Sequence, residues 1–209
     1  MKILIYFVLF ACPALAQTET GAESIGKPTF DQRLSEMFHS LAVVGDSDTP
    51  EHLTKEILDF CGANPAVPLL AHLKYVHDRG ELRQVSELLR AIKPDAVNTI
   101  IEELKGENNP AQKGKLIRCL GAFSGRDVLA ALKLQLDDSR MSDEPHGFEW
   151  PRVVGIVRVE AYNVITSILE ESLSHEERRK LRFQRANASD SDRESRFDAL
   201  KARLTALGL

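Results

Sequence analysis

The side chains able to do chemistry in this chain are few and widely spread. There are six histidines and three cysteines among 209 residues. His72 and His77 lie five apart in a stretch of helical period, so they project from different faces and do not form a metal pair. No Gly-rich phosphate loop, Gly-x-Ser-x-Gly elbow or His-Glu-x-x-His pair occurs. Asp137, Asp138, Asp143, Glu144 and His146 make an acidic stretch, but without the ligand spacing of an EF-hand, and a solvated loop is expected there. Cys61 and Cys119 have no histidine near them in sequence, which leaves a partner in space open. The residues therefore assign no catalytic group, no metal ligand and no cofactor, and the chain reads as no enzyme. A different feature stands out. Residues 137–151 read as a long loop holding Met141, Phe148 and the single tryptophan, Trp150, just before Pro151. Long loops inside compact domains often carry function, and tryptophan is a favoured interface anchor. Two readings stand for Phe148 and Trp150: an exposed partner-binding surface, or a plug folded back on the domain.

The elements that would position these groups are helices. Phe30, Leu34, Met37, Phe38 and Leu41 repeat at helical spacing, and so do Leu53, Ile57, Leu58 and Phe60 after Thr49-Pro50, a cap followed by proline at the first helical position. Leu69, Leu70, Leu73 and Val76 predict a helix stopped near Gly80. Further stripes run through Leu82 to Ile92, Val97 to Leu104 after Pro94, Leu116 to Phe123, Val128 to Leu136 and Val153 to Leu169. Ser174-x-x-Glu177 is a capping box, and Ser189 or Asp190 is placed to cap a last helix through Phe197, Leu200, Leu204 and Leu207. No stretch alternates apolar and polar residues with β-branched enrichment, so the expected class is all-α.

An internal repeat is visible in these stripes. A shift of 32 residues lays Val85, Leu88 and Ala91 on Ile117, Leu120 and Phe123, and Asp95, Val97, Ile100 and Leu104 on Asp127, Leu129, Leu132 and Leu136. A shift of 45 then lays Ile117, Leu120 and Phe123 on Tyr162, Ile165 and Ile168, the extra length falling in the loop 137–151. Leu120-Gly121-Ala122-Phe123-Ser124-Gly125 with Val128, Leu132 and Asp137, and Val157-Arg158 with Ala161 and Ile165, resemble HEAT-like repeats of the phycobilisome-lyase type over about residues 65 to 170. Lys113-Gly114 and Asn163 depart from the ideal repeat. The resemblance implies a short right-handed α-solenoid of antiparallel helix pairs. One pair cannot bury its stripe alone, so stacked pairs share a core and capping helices close both ends. On this reading residues 29–209 form one domain: an N-terminal cap over 29–62, repeats over 63–171 and C-terminal helices over 172–209. A whole helix pair would separate Cys61 from Cys119, too far for a disulfide, so the repeat reading predicts two free thiols where export alone would permit a bridge.

In such arrays the second helix of each pair lines the concave face. The resemblance thus implies a basic inner stripe of Arg83, Arg90, Lys115, Arg118 and Arg158, facing an acidic partner. Lys115, Arg118 and Ala122 share a face turned away from Ile117 and Leu120. Ordinary solvated charge is the alternative.

The ends of the chain speak to location. Lys2, the apolar run Ile3 to Ala11 and the Ala14-x-Ala16 site make residues 1–16 a secretory signal peptide, followed over 17–28 by a polar, flexible leader. Leu9-Phe10-Ala11-Cys12 offers a competing lipoprotein box, with a lipid anchor on Cys12. The apolar run is too short for a membrane span. Loss of Lys2 with the signal takes the formal charge from −4 to −5, which argues against nucleic acid as a partner. The basic helix holding Arg178, Arg179, Lys180, Arg182 and Arg185 lacks the apolar face of a membrane-surface helix. The leading expectation is an exported, periplasmic or extracellular, non-catalytic scaffold that binds another protein. A lyase-like or small-ligand-binding repeat protein and a structural envelope lipoprotein are the alternatives.

Overall fold

The computed structural model describes residues 28–44, 51–77, 79–140, 156–181 and 190–209. Among these residues it is all-helical, with ten α-helices and no strand. In chain order they are α1 (Phe30–Val44), α2 (Glu51–Cys61), α3 (Ala66–His72), α4 (Arg79–Ala91), α5 (Asp95–Gly106), α6 (Pro110–Leu120), α7 (Arg126–Gln135), α8 (Ile156–Leu169), α9 (His175–Leu181) and α10 (Asp190–Ala206). The signal and leader at 1–27, the Thr49-Pro50 cap, residues 153–155 and Ser189 lie outside the described residues, as do 141–155 with Phe148 and Trp150. No helix among those described is long and apolar enough to cross a membrane.

Local chemistry explains several helix starts. At Ser174 the capping box forms: Ser174 N donates to Glu177 Oε2 at 2.8 Å and Glu177 N donates to Ser174 Oγ at 3.2 Å. Thr29 and Gln32 make a second box at α1, with bonds of 2.8 and 3.2 Å. Asn109 caps α6, its Oδ1 accepting from Ala111 N and Gln112 N, with Pro110 at the first helical position. Gly125, at φ +132, makes the reversal into α7 in a conformation that side-chain-bearing residues rarely adopt.

One boundary differs from the sequence pattern. Gly80 lies inside the first turn of α4, and α3 ends at His72. The helix stops early because successive amides from Leu73 to Val76 bond to the carbonyl three residues back, tightening the chain into a turn.

The helices pack in a definite order. α3 meets α4, α5 meets α6 and α7 meets α8. Every second helix also touches: α3 packs on α5 and α5 on α7, while α4 packs on α6 and α6 on α8. α1 lies against α2, α3 and α4, and α10 against α9 and α7. A single apolar cluster runs through the whole set from Leu34 to Leu204. Its middle is α6, whose residues from Ala111 to Leu120 are all buried or half-buried. Each fully buried leucine or isoleucine, such as Ile117 and Leu120 at 0 % exposure, contributes about 1.5–3 kcal/mol of hydrophobic stabilisation.

Candidate functional site

The five basic residues expected on the inner stripe sit on three neighbouring helices, Arg83 and Arg90 on α4, Lys115 and Arg118 on α6, and Arg158 on α8. Because α4 packs on α6 and α6 on α8, the fold brings these helices side by side. What their side chains do differs from helix to helix. Arg83 is exposed and meets Glu87 at 3.3 Å, one turn along its own helix. Arg90 is exposed in the last turn of α4. Lys115 is half-buried, and its Nζ donates to the carbonyl of Leu73 at 3.0 Å, a cation placed at the C-terminal end of α3. Arg118 grips Glu160 with two parallel bonds, Nε to Oε2 at 2.9 Å and a shorter one from its terminal nitrogen to Oε1. The hydrogen bonds to Glu160 hold the Arg118 proton more tightly than usual, and burial works against them. Arg158 lies over the Phe197 ring at 3.9 Å and reaches Glu194 at 2.7 Å, tying α8 to α10.

Three of the five cations thus join one helix to another. A guanidinium or ammonium drawn out of water must find an opposite charge or a carbonyl, and these do so inside the molecule. The rest of α6 follows the same rule. Lys113 Nζ reaches Gln135 at 3.2 Å and Asp138 at 3.4 Å, and Arg140 forks onto Asp138 and also donates to the Asn108 carbonyl at 2.8 Å. The Asp138 carbonyl accepts from Arg158 N at 3.2 Å. Asp137 pairs with Lys201 of α10. The solvated acidic loop expected here is therefore corrected at its start: Asp138 is 12 % exposed and bound on three sides. The hydrogen bonds from Arg140, with help from Lys113, hold its carboxyl down at about 2.

Among the described residues the thiols of Cys61 and Cys119 are both free. Cys119 is fully buried and takes a hydrogen bond from Ser86 Oγ at 3.4 Å. Burial pushes it up to about 11, against smaller downward pulls from Ser86 and Arg118. Burial likewise raises Cys61 to about 11. Nucleophilic attack needs the thiolate, so neither is activated for it at neutral pH. Among the described residues no group of three or more His, Cys, Asp or Glu is placed to hold a metal ion.

No family model, curated protein or solved structure matches this chain. The geometry of its own residues is what the functional reading stands on.

Two arrangements went unread in the sequence. The first is His72, 2 % exposed, stacked flat on Phe38 of α1 at 4.6 Å, with Nε2 2.9 Å from Glu81 of α4. Among the described residues its Nδ1 has no hydrogen-bond partner. The signal was available: Leu69, His72, Leu73 and Val76 are spaced three, one and three apart, which puts His72 on the buried face. The second is a cavity of about 300 Å³ between α1 and α2, lined by Arg33, Glu36, Met37, Ser40, Glu56 and Phe60. Phe60 stacks on Phe30 at 4.7 Å and carries the Arg33 guanidinium 5.7 Å from its ring centre. No sequence signal points to this cavity, because its lining is shared between two helices.

Proposed function

We propose that the chain is a non-catalytic protein-interaction scaffold, exported to the periplasm or cell exterior and built as a short right-handed α-solenoid of HEAT-like helix pairs. The observation that supports this architecture is the order of packing: α3 packs on α5 and α5 on α7, while α4 packs on α6 and α6 on α8. α1 with α2, and α9 with α10, are then the capping helices. A stack of this kind has two long outer rows of side chains, which suits it to holding another polypeptide. Fold alone does not fix function, and the scaffold role is an analogy to what such stacks do.

The basic stripe is sharpened by the contacts of its members. Lys115, Arg118 and Arg158 hold helices together, so the residues best placed to meet an acidic partner protein are Arg83 and Arg90 on α4. The test is to purify the protein from its own cells after mild crosslinking and identify what comes with it, beside an Arg83→Glu, Arg90→Glu variant. A specific partner lost at least tenfold in the variant, with unchanged helical circular dichroism, would support the scaffold reading. Equal recovery from both forms would move the binding surface off α4. N-terminal sequencing of the same material tests export: a start at Gln17 fits signal cleavage, and a lipidated Cys12 fits the envelope lipoprotein.

A further inference from the structure

The cavity between α1 and α2 has a mixed lining whose parts suit one kind of ligand. Its volume, about 300 Å³, is at the lower end for small-molecule sites and matches a single long side chain or a short amphiphile. Met37 and Phe60 are half-buried, and because Phe60 already carries the Phe30 ring and the Arg33 guanidinium, Met37 supplies the open apolar surface. Glu36 of α1 and Glu56 of α2 are exposed at the rim, one on each helix. Among the described residues neither carboxylate forms an ion pair with a base. Arg33 is the one basic residue of the lining, and it sits over the Phe60 ring instead of meeting either glutamate. Among the described residues the lining therefore carries one net negative charge, with neither carboxylate paired to a base. Ser40 Oγ donates to the Glu36 carbonyl at 3.0 Å, which uses its proton and leaves its lone pairs free to accept. Among the described residues every open polar group of the lining apart from Arg33 is an acceptor, and the Met37 side chain is soft and apolar.

We propose that this cavity binds a guanidinium or ammonium group carried on an apolar stem. The cation lies between Glu36 and Glu56 with Ser40 as a further acceptor, and the stem rests on Met37. This chemistry is shared by a basic side chain of a polypeptide and by a free alkylamine. It does not depend on the scaffold reading, since it concerns a different face from Arg83 and Arg90. Charge pairs at an open rim are screened by water and salt, so the affinity for a small probe is modest, with Kd about 1 mM, and it weakens as salt rises.

The test uses the whole chain labelled with ¹³C at its methionine methyls. There are only three methionines, Met1, Met37 and Met141, and a Met37→Leu variant identifies the signal from the cavity. Hexylguanidinium is titrated beside hexanol and hexanoate, which share the stem but lack the cation. The expected result is a saturable shift of the Met37 methyl by hexylguanidinium, at least tenfold weaker with either control, and reduced about tenfold in a Glu36→Gln, Glu56→Gln variant. Both glutamates are exposed, so that variant keeps the fold. Equal shifts by hexanol and hexylguanidinium, or an unchanged affinity in the double variant, would overturn the proposal. So would the absence of any shift at ten times the expected Kd. An acetylated Leu-Arg-Leu amide separates the two sources. Tighter binding than hexylguanidinium assigns the cavity to a polypeptide, and weaker binding to a free amine.

Discussion

α2 and α6 are both eleven-residue helices, yet the stack treats them in opposite ways. In α2 one residue, Ile57, is buried, and Leu53, Leu58, Phe60 and Cys61 are half-covered. In α6 Ala111, Gly114, Leu116, Ile117, Cys119 and Leu120 are buried, and Lys113, Lys115 and Arg118 between them are half-covered. The difference is one of place. α2 has α1 as its main neighbour, while α6 is enclosed by α4, α5 and α8. Charges on the enclosed helix must be paired inside the protein, and charges at the edge remain open to a ligand or partner. For this reason the basic residues of α6 read as ties between helices, and the glutamates beside α2 as a binding surface.

The comparison can be broken at its strongest point by truncating one side chain in each helix. Leu120→Ala removes a fully buried side chain from the middle of the stack and is expected to cost about 2–5 kcal/mol. Leu58→Ala, at a half-covered site in α2, is expected to cost about 1 kcal/mol or less. Urea unfolding of both variants measures the two. Equal losses would mean that α2 is as firmly held as α6.

Next in size is the Arg118–Glu160 fork. Removing one partner strands the other, and Arg118→Met is expected to cost about 2–3 kcal/mol, less than for a fully buried pair because the Arg118 side chain is 30 % exposed. Adding Glu160→Leu to Arg118→Met should recover part of that loss, since neither charge is then left alone. Arg83→Met, whose partner Glu87 is exposed on the same helix, is expected to change stability by about 0.5 kcal/mol or less. A double-mutant cycle that found no coupling between 118 and 160 would remove the tie.

Much of the helical layout could be read from apolar spacing, because a stripe such as Leu116, Ile117 and Leu120 repeats the geometry of the helix that buries it. The box at Ser174 was equally plain, since its bonds join residues three apart. The ties between helices were not. Arg118 and Glu160 are 42 residues apart, and so are Lys115 and the Leu73 carbonyl. Nothing local distinguishes these cations from Arg90, which stays exposed. Lys115 and Arg118 look like a solvated face along α6 alone, and only the arrival of α8 and the end of α3 encloses them. The same holds for the α1–α2 cavity, whose lining comes from two helices joined in no visible motif.

A smaller effect is the dependence of stability on pH through Asp138. Its folded value, about 2, is below the ordinary 3.8, so it favours the folded state above the ordinary value. That contribution is expected to fall away as pH drops from about 4 towards 2, by about 1 kcal/mol once solvent screening is allowed for. Asp138→Asn should flatten this part of the stability profile. An acid profile for Asp138→Asn identical to that of the parent protein would show that Lys113 and Arg140 do not hold the carboxylate in solution.

The finest version of the comparison sets one helix cap against another. Asn109 caps the enclosed helix α6 through two bonds, to Ala111 N at 2.8 Å and Gln112 N at 3.4 Å. Asn109→Ala is expected to cost about 1 kcal/mol in global unfolding, because α6 cannot fray without opening its contacts with α5 and α8. Thr29 caps α1 at the edge, through an exposed bond of 3.2 Å. Thr29→Ala should cost a few tenths of a kcal/mol globally and act mainly on local opening. Amide hydrogen exchange reads the contrast directly. In Asn109→Ala the slowest amides of α4, α6 and α8 should all speed up together, whereas in Thr29→Ala only the first turn of α1 should. If Thr29→Ala also accelerated exchange in α6, the edge and the centre would unfold as one unit, and the division of labour drawn between them would fail.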